Sequence, residues 1–210
     1  MKILGIIGCG DLGKQIANYA INDNHYNDVV FFDDYSKETS VNGFLIRGTI
    51  ESIDNSFANK EFDELIIAIG YKHLKTKKVL YEKFVNRIPF GKIIHSTCYL
   101  DPTAKIGHGC VIYPKSVLDA NVIIKENTLI NISCIIAHDT QVGAHCFLSP
   151  CIAMAGFVTI KEQCVIGINA TIIDNITIGK EIQIGGGAVV INTISKKGVY
   201  VGNPAKFIRE

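Results

Sequence analysis

LDPTAK IGHGCV IYPKSV LDANVI IKENTL INISCI IAHDTQ VGAHCF, residues 100–147, is aliphatic at the first place of every six. The register continues without a break through LSPCIA MAGFVT IKEQCV IGINAT IIDNIT IGKEIQ IGGGAV to residue 194. The fifth place is small or β-branched throughout, as at Ala104, Cys110, Ser116, Thr128, Cys134 and Thr140. Neither an amphipathic helix nor an alternating strand has a period of six. A hexapeptide repeat does, and its structural solution is a parallel β-helix. Each hexad supplies a short strand and a corner. Three hexads close a triangular coil, so a residue lies beneath the one eighteen places later, at a coil spacing of about 4.8 Å. The aliphatic column fills the interior, and the fifth place points inward near a corner, where only small side chains fit.

Outside the repeat, the chain begins with a strand pattern over residues 2–7. It runs into Gly8-Cys9-Gly10-Asp11-Leu12-Gly13 and a helical pattern over 14–21. A GxGxxG between strand and helix lets the backbone approach a phosphate at the helix N-terminus. A strand over 29–32 ends in Asp33-Asp34, where an acidic group commonly takes a ribose hydroxyl. A strand over 64–69 ends in Gly70-Tyr71, and a helix over 72–85 follows. Residues 1–90 therefore read as a small Rossmann-like α/β domain with a parallel sheet. A short strand over 92–95 leads into the β-helix, residues 91–197, and residues 198–210 read as a capping segment. The fold class is α/β plus all-β.

A chain of 210 residues accommodates two such domains. The net charge of +1 supplies no basic field for nucleic acid and no polybasic membrane patch. The chain opens straight into a strand, without a secretory leader, and this places it in the cytoplasm by expectation. Cys110, Cys134, Cys146 and Cys164 all occupy the small fifth place, which makes them buried hydrophobes rather than disulfide or metal residues.

Polar residues that interrupt the hexads carry the chemistry. His138 and Asp139 take the third and fourth places of their hexad, at a corner facing outward. Stacking puts Ala120 one coil below His138 and Gly156 one coil above, which leaves an open notch around the imidazole. An adjacent acid fixes the imidazole tautomer and supports proton uptake. Asn131 is a second polar interruption. A zinc site would need three converging histidines, and by the count of eighteen His108, His138 and His145 do not share a face. The sixth places Val111, Leu129, Phe147, Val165 and Val189 are apolar and point outward, and Leu129, Phe147 and Val165 form a vertical stripe. An exposed stripe of this kind calls for burial, which cyclic threefold association would provide.

In combination, the Gly-rich start, Asp33-Asp34, Ala68-Ile69-Gly70, the hexads, His138-Asp139, Gly185-Gly186-Gly187 and the closing Gly202-Asn203-Pro204-Ala205-Lys206 resemble one family. It is the bacterial hexapeptide-repeat acetyltransferases of sialic acid and of nucleotide-linked amino sugars. The resemblance implies a homotrimer of left-handed β-helices that uses acetyl-CoA and no metal, with active sites between subunits. It implies N-acetylation of a nucleotide-linked 4-amino-4,6-dideoxy sugar for surface glycans, with O-acetylation of sialic acid as the alternative and a zinc-dependent hydratase as a remote one. By resemblance, His138 is the general base and Asp139 its supporting acid. Gly10, Asp11, Leu12, Asp33, Asp34, Gly70, Tyr71 and Asn131 contact the nucleotide sugar, and Phe147, Ile168 and Gly186 contact acetyl-CoA. Ile168 and Gly186 are eighteen apart and so share a column.

Overall fold

The structure is a computed structural model describing residues 1–210. Chain contacts divide it into two units, Met1–Ile93 and Ile94–Glu210.

In the first unit, β1 (Ile3–Ile7), β2 (Asp28–Phe32) and β5 (Glu64–Ile67) are nearly continuous apolar runs. Strands of that composition suit a parallel sheet covered on both faces. The helices are α1 (Asp11–Asn22), α2 (Ile53–Ala58) and α3 (Leu74–Phe84). The sheet order is β3-β4-β2-β1-β5, with β3 (Ser40–Val41) antiparallel to β4 (Phe44–Gly48) and the other pairs parallel. The chain runs outward from β1 through β2 and β4, then returns to the other side of β1 as β5. The order of strands therefore reverses at β1, the kind of point where open α/β sheets bind ligands at their carboxyl ends.

The sequence reading passes over β3, β4 and α2. The signal for the hairpin was present: Asn42 and Gly43 both have positive φ, 51° and 85°. An Asn-Gly pair in that conformation matches the twist of flanking strands in a two-residue hairpin turn. Helix α1 begins at Asp11 rather than residue 14, because Gly10 is its N-cap and the glycine motif itself opens the helix. The expected strand over 64–69 stops at Ile67, and the helix expected from residue 72 is preceded by a 3-10 turn, Tyr71–His73.

In the second unit, two-residue strands stack in register eighteen residues apart, for example Val117 on Tyr99 and Ile135 on Val117. They make three faces. The first holds Tyr99–Leu100, Val117–Leu118, Ile135–Ile136, Ala153–Met154, Thr171–Ile172 and Val189–Val190. The second runs from Lys105–Ile106 to Thr177–Ile178. The third starts at Ile93–Ile94 and ends with Gly198–Val201 and the returning antiparallel strand Lys206–Arg209.

The hexad places have distinct physical duties. First-place residues from Ile112 to Val190 are buried in one continuous core. Each aliphatic side chain taken from water contributes about 1.5–3 kcal/mol. The fourth place is left-handed at fourteen successive corners, every sixth residue from Gly109 to Gly187. Gly, Asn and Asp adopt this conformation at low cost, whereas other side chains give up about 1 kcal/mol or more. The fifth place does more than fit. The side chains of Ser116, Thr128, Cys134, Thr140, Cys146 and Cys164 donate to the carbonyls of Asn131, Gly143, Ser149, Ala155, Lys161 and Gly179, each fifteen residues on, at 2.9–3.2 Å. The hydroxyls of Ser116, Thr128 and Thr140 also accept from the backbone N–H one coil above. These buried polar atoms are satisfied and tie coil to coil.

The third-face stripe departs from expectation. Leu129 and Phe147 are only 1% and 8% exposed, and Val111 is buried as well. The exposed apolar column lies instead on the first face, where Tyr99 and Ile135 are each more than half exposed and Val117, Ala153 and Val189 are partly so.

Candidate active site

The β-helix has three edges, and the chemistry-bearing residues fall on different ones. The edge joining the first and second faces carries His138 and Asp139. Strand Ile135–Ile136 ends there, and the left-handed turn at Asp139 (φ 57°) throws both side chains outward. His138 Nδ1 lies 3.0 Å from Asp139 Oδ2. The carboxylate only accepts, so Nδ1 carries the hydrogen and the Nε2 lone pair is left for a substrate proton. Asn121, one coil below, donates from Nδ2 to Asp139 Oδ1 at 3.1 Å. The His138 and Asn121 hydrogen bonds hold the Asp139 carboxyl below the usual carboxylate range, so it is ionised at neutral pH. The side chains of the pair are 49% and 37% exposed, open to a substrate. On the coil above, Gly156 leaves room for the imidazole: a Cβ there would lie 2.6 Å from His138 Cε1 and 2.8 Å from Nε2, so a side chain would displace the ring. The Phe157 ring meets the imidazole edge-on, with centroids 5.1 Å apart.

His145 lies on the edge joining the second and third faces. It is 4% exposed, and its Nδ1 accepts from Asn127 Nδ2 at 3.0 Å. His108 belongs to this same edge two coils below, so the three histidines do not share one edge, as the count of eighteen implied. His138 stands alone on its own edge. No group of three His, Cys, Asp or Glu side chains is placed to hold a metal ion.

The edge joining the third and first faces carries Asn131, Ile168 and Gly186. Ile168 is more than half exposed, and a Cβ on Gly186 would lie 3.0 Å from the Ile168 side chain, so the two do share a column. Phe147 sits on the third face in the strand leading to this edge. Asn131 Oδ1 accepts from the Ile132 N–H. Within one chain, then, the His138 pair and the Ile168–Gly186 column occupy opposite sides of the first face, and Asn131 belongs with the latter.

In the first unit, three loops meet at the carboxyl ends of adjacent strands: residues 8–13 after β1, Asp33-Asp34 after β2 and Gly70-Tyr71 beyond β5. Gly8 has φ +98° and packs against the Ala68 carbonyl. A Cβ on Gly13 would lie 2.0 Å from the Gly8 carbonyl oxygen, so helix and loop close only with glycine there. Gly10 and Gly70 have open space where a side chain would be. Asp11 is fully exposed in the first turn of α1, with Lys14 Nζ 3.5 Å away, and Leu12 is partly buried. Asp33 is occupied in holding the loops. Oδ2 accepts from Cys9 N–H, and Oδ1 accepts from Tyr35 and Ser36 N–H. Burial pushes its carboxyl up, but these hydrogen bonds prevail and keep it below its ordinary value. Asp34 Oδ1 accepts from Ile50 N–H. Tyr71 is half exposed.

Asn121 and Phe157 were missed by sequence reasoning. Asn121 was accessible to it, since it stands eighteen residues before Asp139. Phe157 carried a weaker signal, an aromatic at a left-handed corner.

Comparison with known proteins agrees with this architecture. Residues 3–84 match the PglD N-terminal domain family, and residues 94–156 match the GMPPB C-terminal domain. The acetyltransferase domain of PglB from Neisseria gonorrhoeae FA1090 is 30% identical, with a TM-score of 0.92 over 99% of this chain and 100% of that one. That domain is also solved in complex with acetyl coenzyme A, at 30% identity and TM-score 0.91 over 99% of each chain. WeeI from Acinetobacter baumannii AYE is 25% identical, with a TM-score of 0.85 over 99% of this chain and 100% of that chain. PerB from Caulobacter crescentus, solved with CoA and GDP-perosamine, shares the fold at 24% identity, with a TM-score of 0.89 over 99% and 97% of the chains. The chain belongs to the hexapeptide-repeat sugar acetyltransferases. It is an acyltransferase built on a left-handed β-helix that follows a Rossmann-like domain. No helix is long and apolar enough to cross a membrane.

Proposed function

We propose that this protein transfers an acetyl group from acetyl-CoA to the amine of a nucleotide-linked 4-amino-4,6-dideoxy sugar, with His138 as general base. The observation that carries this reading is the exposed His138–Asp139 pair, with Nδ1 committed to the acid and Nε2 left open beneath Gly156. The acetyl-CoA complex of the 30% identical PglB domain supports the donor.

The amine nitrogen attacks the thioester carbonyl while His138 Nε2 takes its proton. The C–S bond then breaks, and the CoA thiolate recovers that proton from the imidazolium. The amide forms and neutral imidazole returns, so no acyl-enzyme is required. Asp139, held by Asn121, keeps the tautomer correct through the cycle.

Gly10, Asp11, Leu12, Gly70 and Tyr71 are the groups through which the first unit meets the nucleotide sugar. Asp33 and Asp34 act chiefly by shaping that loop, with their remaining lone pairs offered to hydroxyls. Phe147, Ile168 and Gly186 serve acetyl-CoA, and Asn131 serves the sugar. His138 and the Ile168–Gly186 column occupy different edges of one β-helix, so a site using both draws them from neighbouring copies. The exposed apolar column of Tyr99, Val117 and Ile135 on the intervening face supports a homotrimer with shared sites.

A CoA-release assay across nucleotide 4-amino sugars and free sialic acid tests the reading. Release with a 4-amino sugar, abolished in His138→Ala, is expected. Release with sialic acid alone would transfer the assignment to O-acetylation.

A further inference from the structure

Phe157 puts a large apolar ring at a corner beside His138. Its φ is +58°, in the left-handed region that aromatic residues seldom enter. Seven of the fourteen fourth-place corners hold Asn, Asp or glycine; Lys115, Ser133, His145, Cys151, Gln163 and Glu181 share the left-handed turn with Phe157, so the repeat sets the turn and Phe157 is distinguished by its large apolar ring. The ring is 53% exposed, so burial does not account for it. It lies edge-on to the His138 imidazole, 5.1 Å between centroids and 87° between planes. Its chain neighbour Gly156 is bare where a side chain would strike that imidazole. Along the same edge, Ile173 and Ile191 are also exposed, so apolar surface continues away from the pair.

We propose that Phe157 positions His138 and sets acceptor specificity: its ring braces the imidazole from the coil above and presents an apolar wall to the acceptor. The wall favours a sugar whose edge beside the reacting group is deoxygenated, such as a methyl in place of a hydroxymethyl. A hydroxyl pressed against a ring loses water without gaining a partner, whereas a methyl gains contact. This proposal rests on His138 being the base and extends it to a neighbour that touches both base and acceptor.

The experiment compares wild type, Phe157→Asn and Phe157→Leu on two nucleotide 4-amino sugars that differ only in bearing methyl or hydroxymethyl at C6. Asn suits the backbone at this corner, so Phe157→Asn is expected to fold and melt no lower than wild type. Its kcat/KM for the methyl acceptor is expected to fall about 10- to 200-fold, the range for one aliphatic group in an apolar pocket. The hydroxymethyl acceptor should change far less. Phe157→Leu keeps an apolar wall and should retain most of the preference. An unchanged ratio of the two acceptors in Phe157→Asn overturns the specificity claim, and a change in its oligomeric state by light scattering reassigns the ring to an interface. If wild type acetylates neither sugar, the proposed function fails rather than this inference. The bracing claim is then decided by NMR: the His138 Cε1–H resonance should move in Phe157→Leu as the ring current disappears, and an unmoved resonance overturns it.

Discussion

His138 and His145 stand seven residues apart in the same repeat and at the same kind of corner, yet they are different chemical objects. His138 is open to solvent on one edge, held by a carboxylate and roofed by a glycine. His145 is sealed on the next edge, with an amide as neighbour. The difference comes from columns, not from local sequence. Above His138 the stack offers Gly156, and below its acid it offers Asn121. Below His145 it offers Asn127. A histidine in a coil is defined by the residues eighteen places away as much as by its chain neighbours.

The strongest way to break this comparison is His138→Ala. Steady-state assays should show kcat down by roughly 10² to 10⁴, the usual share of a general base, with the thermal midpoint preserved because the side chain is exposed. Near-wild-type turnover removes His138 from the mechanism. Asp139→Asn should lower kcat by roughly 10- to 100-fold, as for outer partners of functional histidines, because an amide can donate to Nδ1 and leave the hydrogen on the wrong nitrogen. A kcat equal to wild type would show that the carboxylate is ornamental. His145→Ala should do the opposite of His138→Ala: urea denaturation should show a loss of about 1–3 kcal/mol, since a buried hydrogen bond is broken, while kcat stays put. An activity loss without a stability loss would erase the distinction.

The smallest effect sharpens the picture most finely. Asn121→Ala removes one of the two hydrogen bonds that depress the Asp139 carboxyl. Its folded pKa should therefore rise toward the ordinary carboxylate value, and the pair should lose the Asp139 charge at a higher pH as the solution is acidified. Carbon-detected NMR titration of Asp139 reads this directly, and an unmoved titration would show that Asn121 is not coupled to the acid.

Much of this was legible in the residues. The period of six gave the interior column, the small fifth place and the eighteen-residue stacking, because a repeat leaves few geometric choices. It also brought Gly156 over His138. What it could not convey was chemistry between columns. The fifth-place Ser, Thr and Cys looked merely small, although each also donates to a carbonyl on the coil above. The apolar stripe at Leu129 and Phe147 looked exposed because outward is not the same as uncovered; the open apolar column proved to be that of Tyr99 and Ile135. In the α/β unit, β4 and its hairpin partner escaped because β3 is only two residues long and β4 lies partly exposed without a continuous apolar run, even though Asn42-Gly43 marked the turn. Asp33 occupied the expected place after β2, but much of its hydrogen-bonding capacity is spent on its own loop.

The stacking has a consequence for how such a chain can change over evolutionary time. Losing one residue turns the interior column outward in every later coil. Losing six keeps the interior filled, yet carries each later residue to the next edge, so Gly156 and Phe157 would leave His138 and a different pair would arrive above it. Only the loss or gain of eighteen returns every edge to itself. Length in this half of the molecule is therefore inherited in whole coils, and the edge that holds His138 is guarded by arithmetic before it is guarded by any single contact.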